Sequence, residues 1–297
     1  PIWLAMAGRL RRLGIPFEMV EKSEAVGPAW RGHYDRLHLH TVKELSELPH
    51  LPFPDDYPRY VPRRKLVEYM EQYAARFDLQ PHFGEEVVSV RKEGEAWLTR
   101  TASGRRFRSR AVVIGTGVNR VPYRPRFEGE EHFRGTITHS REYRHAAPFR
   151  GQRVLVVGMG NTGAEIALDL CENEAEPAIS VRSPVNIVPR DFWGNSTQKT
   201  AIRLSVLPDW LGDQLGILVR RLTIGDLSPY GLEIPAMPPA RQLRETGKTP
   251  VVDVGTVAQI RAGRIRVLPG IGRFDEVGVV FENEEHHPFD AVILATG

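Results

Sequence analysis

Cysteine is almost missing. Cys171 stands alone among 297 residues, which excludes a disulfide framework, a cysteine-based zinc cluster and a Cys-x-x-Cys redox pair. A reducing compartment, the cytoplasm, is therefore expected. Long hydrophobic runs are also lacking: nothing approaches the roughly 18 apolar residues of a membrane span, and no signal peptide opens the chain. Nor is there an excess of one charge, since 40 basic residues against 37 acidic leave a net charge of +3, with both signs interspersed. That balance does not favour nucleic acid as a partner. What remains is 41% apolar and 26% charged sequence, enough to bury a core in two domains of ordinary size.

Both ends read as cut. Leu4 to Leu13 has helical spacing and a stop at Gly14, yet only three residues precede it. The far end halts in a strand-like run, Asp290 to Gly297. Between them the chain repeats one plan. The first half is read as helix 4–13, strand 16–21, a helix over 63–77 and a meander over 83–106, closing on the strand Ala-Val-Val-Ile-Gly-Thr-Gly at 111–117. The second is read as strand 153–157, a glycine turn, helix 162–171, strand 178–182, a long insertion and a meander over 265–287. It closes on Ala-Val-Ile-Leu-Ala-Thr-Gly at 291–297. Such alternation of buried strands and helices implies an α/β fold of two doubly wound, Rossmann-like dinucleotide-binding domains.

The strongest motif is Gly158-Met-Gly160-Asn161-Thr162-Gly163-Ala164-Glu165, following the apolar run Val154 to Val157. In such a turn the first glycine allows the bend, the second lets a pyrophosphate approach, and the third lets helix and strand pack closely. Anionic phosphates then face the helix N-terminus. Where an NAD site carries a carboxylate for the ribose 2′-hydroxyl, this chain has Arg182 and Ser183, so NADP is expected. In the first half, Glu21 ends a strand and suits the ribose hydroxyls of an adenine dinucleotide. Its glycine turn is missing, and Trp3 falls where the third glycine belongs.

Phe133-Arg-Gly135-Thr-Ile-Thr-His139-Ser-Arg-Glu-Tyr143 resembles the F-x-G-x-x-x-H-x-x-x-Y sequence of class B flavin-containing monooxygenases. Gly27 to Trp30, Tyr34 to His40 and Leu51 to Pro58 are similar to that family's flavin-side loops, and Gly247 to Thr256 is similar to its YUCCA-like branch. The resemblance implies an FAD domain over 1–145, lacking its glycine turn and the rest of its C-terminal part, and an NADPH domain over 146–297. It also implies transfer of one atom of molecular oxygen to a small organic substrate through a C4a-hydroperoxyflavin. Oxidative decarboxylation of an aromatic 2-oxo acid is the reaction the YUCCA branch suggests.

By position, Glu21, Ala29, Trp30, His40 and Thr41 would contact FAD, and Gly158, Gly160, Asn161, Thr162, Gly163, Ala164, Glu165, Arg182 and Ser183 would hold NADPH. His40 stands where many of these enzymes have asparagine, and as a donor there it would act catalytically or simply be satisfied in the core. Lys43 would attract an acidic substrate and Asn119 would position flavin, each against the blander reading of a solvated lysine and a turn residue. Phe192, Trp193 and Trp210 would line an aromatic pocket or belong to the core. Two other functions fit the layout: a flavoprotein NAD(P)H reductase without oxygenation, and an inactive NADPH-binding fragment. Substrate and oligomeric state are not legible.

Overall fold

The computed structural model describes residues 2–117 and 121–297; Asn119 lies outside the described residues. The chain divides into two compact units, 1–120 and 121–297. This division falls ahead of the expected boundary at 145/146, because strand β4 (Thr136–His139) pairs with the last strand of the second unit.

The first unit contains α1 (Ile2–Arg12), α2 (Pro28–Arg31) and α3 (Arg63–Arg76). On α3, Leu66, Val67, Met70, Tyr73 and Ala74 recur at three- and four-residue spacing and form one buried face. Helix α1 packs on it through Gly8, where a Cβ would come within 2.0 Å of the Tyr73 hydroxyl. The tyrosines satisfy their hydroxyls by donating to backbone, Tyr69 to Leu51 O at 2.6 Å and Tyr73 to Pro49 O at 3.0 Å. Burial raises the Tyr69 phenol to about 12. The expected meander is present as β1 (Val87–Glu93), β2 (Ala96–Thr101) and β3 (Arg106–Ser109), paired antiparallel.

Two expected strands of this unit differ. The stretch 16–21 reduces to one parallel bridge, Val20 to His82. The closing run 111–117 is not a strand, and Val113 and Ile114 are 57% and 74% exposed. A strand needs a hydrogen-bonding neighbour, and among the described residues this run has none.

The second unit is the doubly wound half. Its elements are β4, β5 (Arg153–Val157), α4 (Asn161–Glu172), β6 (Glu176–Ser180), β7 (Ile187–Pro189), β8 (Asp191–Phe192) and β9 (Asn195–Ser196). Then come α5 (Thr197–Leu204), α6 (Asp209–Thr223), α7 (Pro239–Thr246), β10 (Val251–Asp253) and α8 (Thr256–Arg261). The unit ends with β11 (Arg266–Leu268), β12 (Ile271–Phe274), β13 (Gly278–Phe281), β14 (His286–Pro288) and β15 (Ala291–Leu294).

A five-stranded parallel sheet has the order β11-β6-β5-β15-β4. Its centre is apolar without alternation, as a parallel strand covered on both faces must be: Val154 to Val156 and Val292 to Leu294 have no exposed surface. The second meander is β12-β13-β14. Arg266–Leu268, expected within that meander, instead extends the parallel sheet beside β6. Among the described residues no helix is long and apolar enough to cross a membrane.

Candidate functional site

The glycine motif forms the turn its spacing predicts. Gly158 has φ 102°, a backbone open to glycine at no steric cost, and a Cβ there would lie 2.9 Å from Ala295 O. At Gly163 a Cβ would meet Gly158 O at 2.0 Å, which no side chain tolerates. Gly160 is the opposite case: nothing lies within 4 Å of its would-be Cβ, so its face is open for a phosphate. Helix α4 starts at Asn161 with no side-chain cap and no acidic residue in its first turn. Its leading N–H groups are therefore available to an anion, with no acidic side chain in the first turn to repel it. These features fit a dinucleotide pyrophosphate.

Within that turn the residues separate by role. Gly158, Gly160 and Gly163 build the turn, and Thr162 is half-buried in the first turn of α4. Asn161 contributes to the turn through backbone alone, because its side chain is engaged elsewhere: Oδ1 accepts the Val252 N–H at 2.7 Å and Nδ2 donates to Pro250 O at 3.4 Å. Ala164 and Glu165, expected to hold cofactor, are 2% and 4% exposed. The Ala164 N–H already donates to Gly160 O at 3.0 Å, and Ala164 O accepts the Thr256 hydroxyl at 2.9 Å. Both residues are thus in the helix packing rather than at the ligand face. Arg182 and Ser183 are exposed just beyond the end of β6.

In the first unit, Glu21 is half-buried beside the Val20 to His82 bridge, and its Oε1 accepts the Ser23 N–H at 2.9 Å. Ala29 is exposed and Trp30 half-buried on α2, which follows Gly27 with φ 72°. His40 and Thr41 sit between two backbone bonds that lay their loop along 59–61, Leu39 N to Val61 O and Lys43 N to Arg59 O, both 2.9 Å. The Thr41 hydroxyl pairs with that of Ser46 at 2.6 Å.

Lys43 has a different place from the one expected. Its ammonium donates to Pro54 O at 3.3 Å, Asp55 O at 2.9 Å and Tyr57 O at 2.8 Å. An ammonium has three N–H groups, so this lysine ties down the 54–57 loop and has no donor left for a substrate. The aromatic pocket is not formed either: Phe192 and Trp193 stack at 4.9 Å, but Trp193 is 88% and Trp210 69% exposed.

The F-x-G-x-x-x-H-x-x-x-Y segment proves to be a packing module. Phe133 is buried edge-to-face against Phe274, and Gly135 leaves room that a Cβ would take from the Phe133 ring and Asp290 O. His139 ends β4 at 4% exposure, its Nδ1 accepts the Arg141 N–H at 3.2 Å, and burial lowers its pKa. The Tyr143 hydroxyl donates to Asp169 of α4 at 2.5 Å. Burial also raises the Cys171 thiol, which removes it further from redox chemistry.

Known proteins are similar to this chain over nearly all its length. The model of the flavin-binding monooxygenase-like family matches residues 20–297. A probable indole-3-pyruvate monooxygenase of Arabidopsis thaliana, YUCCA7, is 38% identical over all of this chain and 72% of its own length. The indole-3-pyruvate monooxygenase YUCCA6 of the same plant is 40% identical over all of this chain and 73% of its own. Among solved structures, a flavin-containing monooxygenase from Stenotrophomonas maltophilia superposes with TM-score 0.74 at 25% identity, over 99% of this chain and 74% of that one. An oxidized steroid monooxygenase bound to NADP gives 0.78 at 20% identity, over 99% and 68%, a likeness of fold. With its Rossmann-like α/β architecture and a family match across nearly all its length, the chain belongs to the flavin-binding monooxygenase-like family and is a monooxygenase.

Proposed function

We propose that this monooxygenase oxidatively decarboxylates an aromatic 2-oxo acid in the cytoplasm. Its cofactors are FAD and NADPH. In balance, the 2-oxo acid, O2, NADPH and a proton give the acid shortened by one carbon, CO2, NADP+ and water. One oxygen atom enters the new carboxylate and the other leaves as water. The substrate class rests on one observation: 38–40% identity over the whole chain to relatives named for indole-3-pyruvate.

The flavin, when bound, supplies the oxygen chemistry that no side chain can. The chain's part is binding and orientation. Glu21 would receive ribose hydroxyls, Ala29, Trp30 and Thr41 would line the flavin, and His40 would donate a hydrogen bond toward it. On the other dinucleotide, the N–H groups of Asn161 to Gly163 would hold the pyrophosphate and Arg182 with Ser183 would hold the 2′-phosphate.

The test is incubation with NADPH and indole-3-pyruvate under isotopically labelled oxygen. The expected result is CO2 release with one labelled atom in the product acid. NADPH-driven reduction of an external acceptor with negligible oxygen uptake would replace this reading with that of a reductase. A protein that binds NADPH but no flavin would replace it with that of a binding fragment.

A further inference from the structure

The side chain of Asn161 sits in the glycine motif yet bonds to protein through both its oxygen and its nitrogen. Its bonds to the Val252 N–H at 2.7 Å and to Pro250 O at 3.4 Å fasten the start of β10 to the first residue of α4. From β10 the contacts continue. Val251 N donates to Asn186 O at 2.8 Å, and β10 lies parallel to β7 in register from Val251 and Ile187.

Asn186 is a buried hub, 2% exposed. Its Oδ1 accepts from Arg220 of α6, and its Nδ2 donates to Gln242 Oε1 of α7 at 2.8 Å and to Met237 O at 3.0 Å. Gln242 in turn donates to Lys248 O at 3.2 Å. Hydrogen bonds and paired backbone thus run from the pyrophosphate turn to α6 and α7 of the insertion.

We propose that Asn161 is a positioning residue that couples dinucleotide occupancy of the turn to the order of α6 and α7, through β10 and Asn186. The inference rests on the reading of this turn as the NADPH site. The physical reason is the uncapped start of α4. Leading N–H groups without partners leave the first turn of a helix prone to fray, and an anion bound there stops the fraying. What holds Asn161 in place then holds Val252, and what holds Val252 holds Asn186 and both helices. By linkage the effect is reciprocal: a more ordered insertion raises the affinity for the dinucleotide.

The test is amide hydrogen exchange on the whole protein with and without saturating NADP+, beside calorimetric titration of NADP+. In the unaltered protein, NADP+ slows exchange at the start of α4 and also at Val251–Asp253, α6 and α7. In Asn161→Ala, NADP+ binds about 10-fold more weakly, and at saturation it protects α4 but no longer α6 and α7. Asn161→Asp keeps the acceptor for the Val252 N–H while placing a negative charge near the phosphates. Its affinity falls, yet protection of α6 and α7 at saturation returns. Equal protection of both helices in Asn161→Ala would overturn the proposal, as would NADP+ binding that never reaches them in the unaltered protein. Absence of any calorimetric NADP+ binding would overturn the nucleotide assignment itself and the coupling with it.

Discussion

Two stretches of nearly the same sequence close the two units, Ala-Val-Val-Ile-Gly-Thr-Gly at 111–117 and Ala-Val-Ile-Leu-Ala-Thr-Gly at 291–297. One becomes β15, hydrogen-bonded on both sides by β5 and β4, with Val292, Ile293 and Leu294 fully buried. The other has no strand neighbour among the described residues and exposes Ile114 to 74%. An apolar β-branched run is therefore only a capacity for strand, realised by what lies beside it.

The helices that approach these stretches differ in the same instructive way. In the second unit the small residue is on the helix, Gly163 facing Ala295 at 3.3 Å from a would-be Cβ. In the first it is on the closing stretch, where a Cβ on Gly115 would come within 3.1 Å of the Trp3 Cβ. Gly115 is what leaves room for Trp3.

The largest expected effect is a matched pair. Leu294→Ala removes a fully buried side chain and costs about 2–5 kcal/mol, whereas Ile114→Ala changes stability by less than about 0.5 kcal/mol. Equal losses in chemical denaturation would show that 111–117 is packed as its counterpart is.

Next is Arg182→Ala, which weakens NADP+ binding roughly 10- to 100-fold by removing a charge-assisted contact and leaves NAD+ binding unchanged. Titration of both nucleotides separates this from general damage to the second unit.

Tyr143→Phe deletes the hydroxyl that reaches Asp169 at 2.5 Å and lowers stability by about 1.5 kcal/mol, read as a reduced unfolding midpoint. Smaller still is the ion pair that holds the base of the sheet. Arg153 donates to Asp290 from its backbone N–H and twice from its guanidinium, at 2.7–3.0 Å. Those bonds lower the Asp290 carboxyl from 3.8 to about 2. A depressed carboxylate contributes stability above its unfolded pKa and loses it as pH falls through the folded one. Asp290→Asn should then be the less stable protein at neutral pH, with the difference shrinking between pH 3.8 and about 2. A difference that persists below that range would contradict the account.

Much of the second unit was legible because its signals are local. A strand flowing through Gly158, Gly160 and Gly163 into a helix has one workable backbone geometry. The side-chain roles were not. Nothing in the spacing says that Asn161 turns toward β10, nor that Lys43 spends its ammonium on three carbonyls. Those partners are 91 and 11 to 14 residues away, and only the folded chain brings them together. The segment from Gly247 to Thr256 did stand out in the sequence, but its role came only from the bonds to Asn161 and Ala164. Trp193 and Trp210 misled for the converse reason: aromatic identity carries no sign of which face of an insertion is turned inward.

The central claim is that the turn at 158–163 is the NADPH site, and Gly160→Ala tests it most directly. Nothing lies within 4 Å of the added methyl, so thermal unfolding should be unchanged, while the open face kept for the pyrophosphate is blocked. Loss of calorimetric NADP+ binding at an unaltered unfolding midpoint is the predicted result. Undiminished binding would mean that the dinucleotide does not lie against this turn.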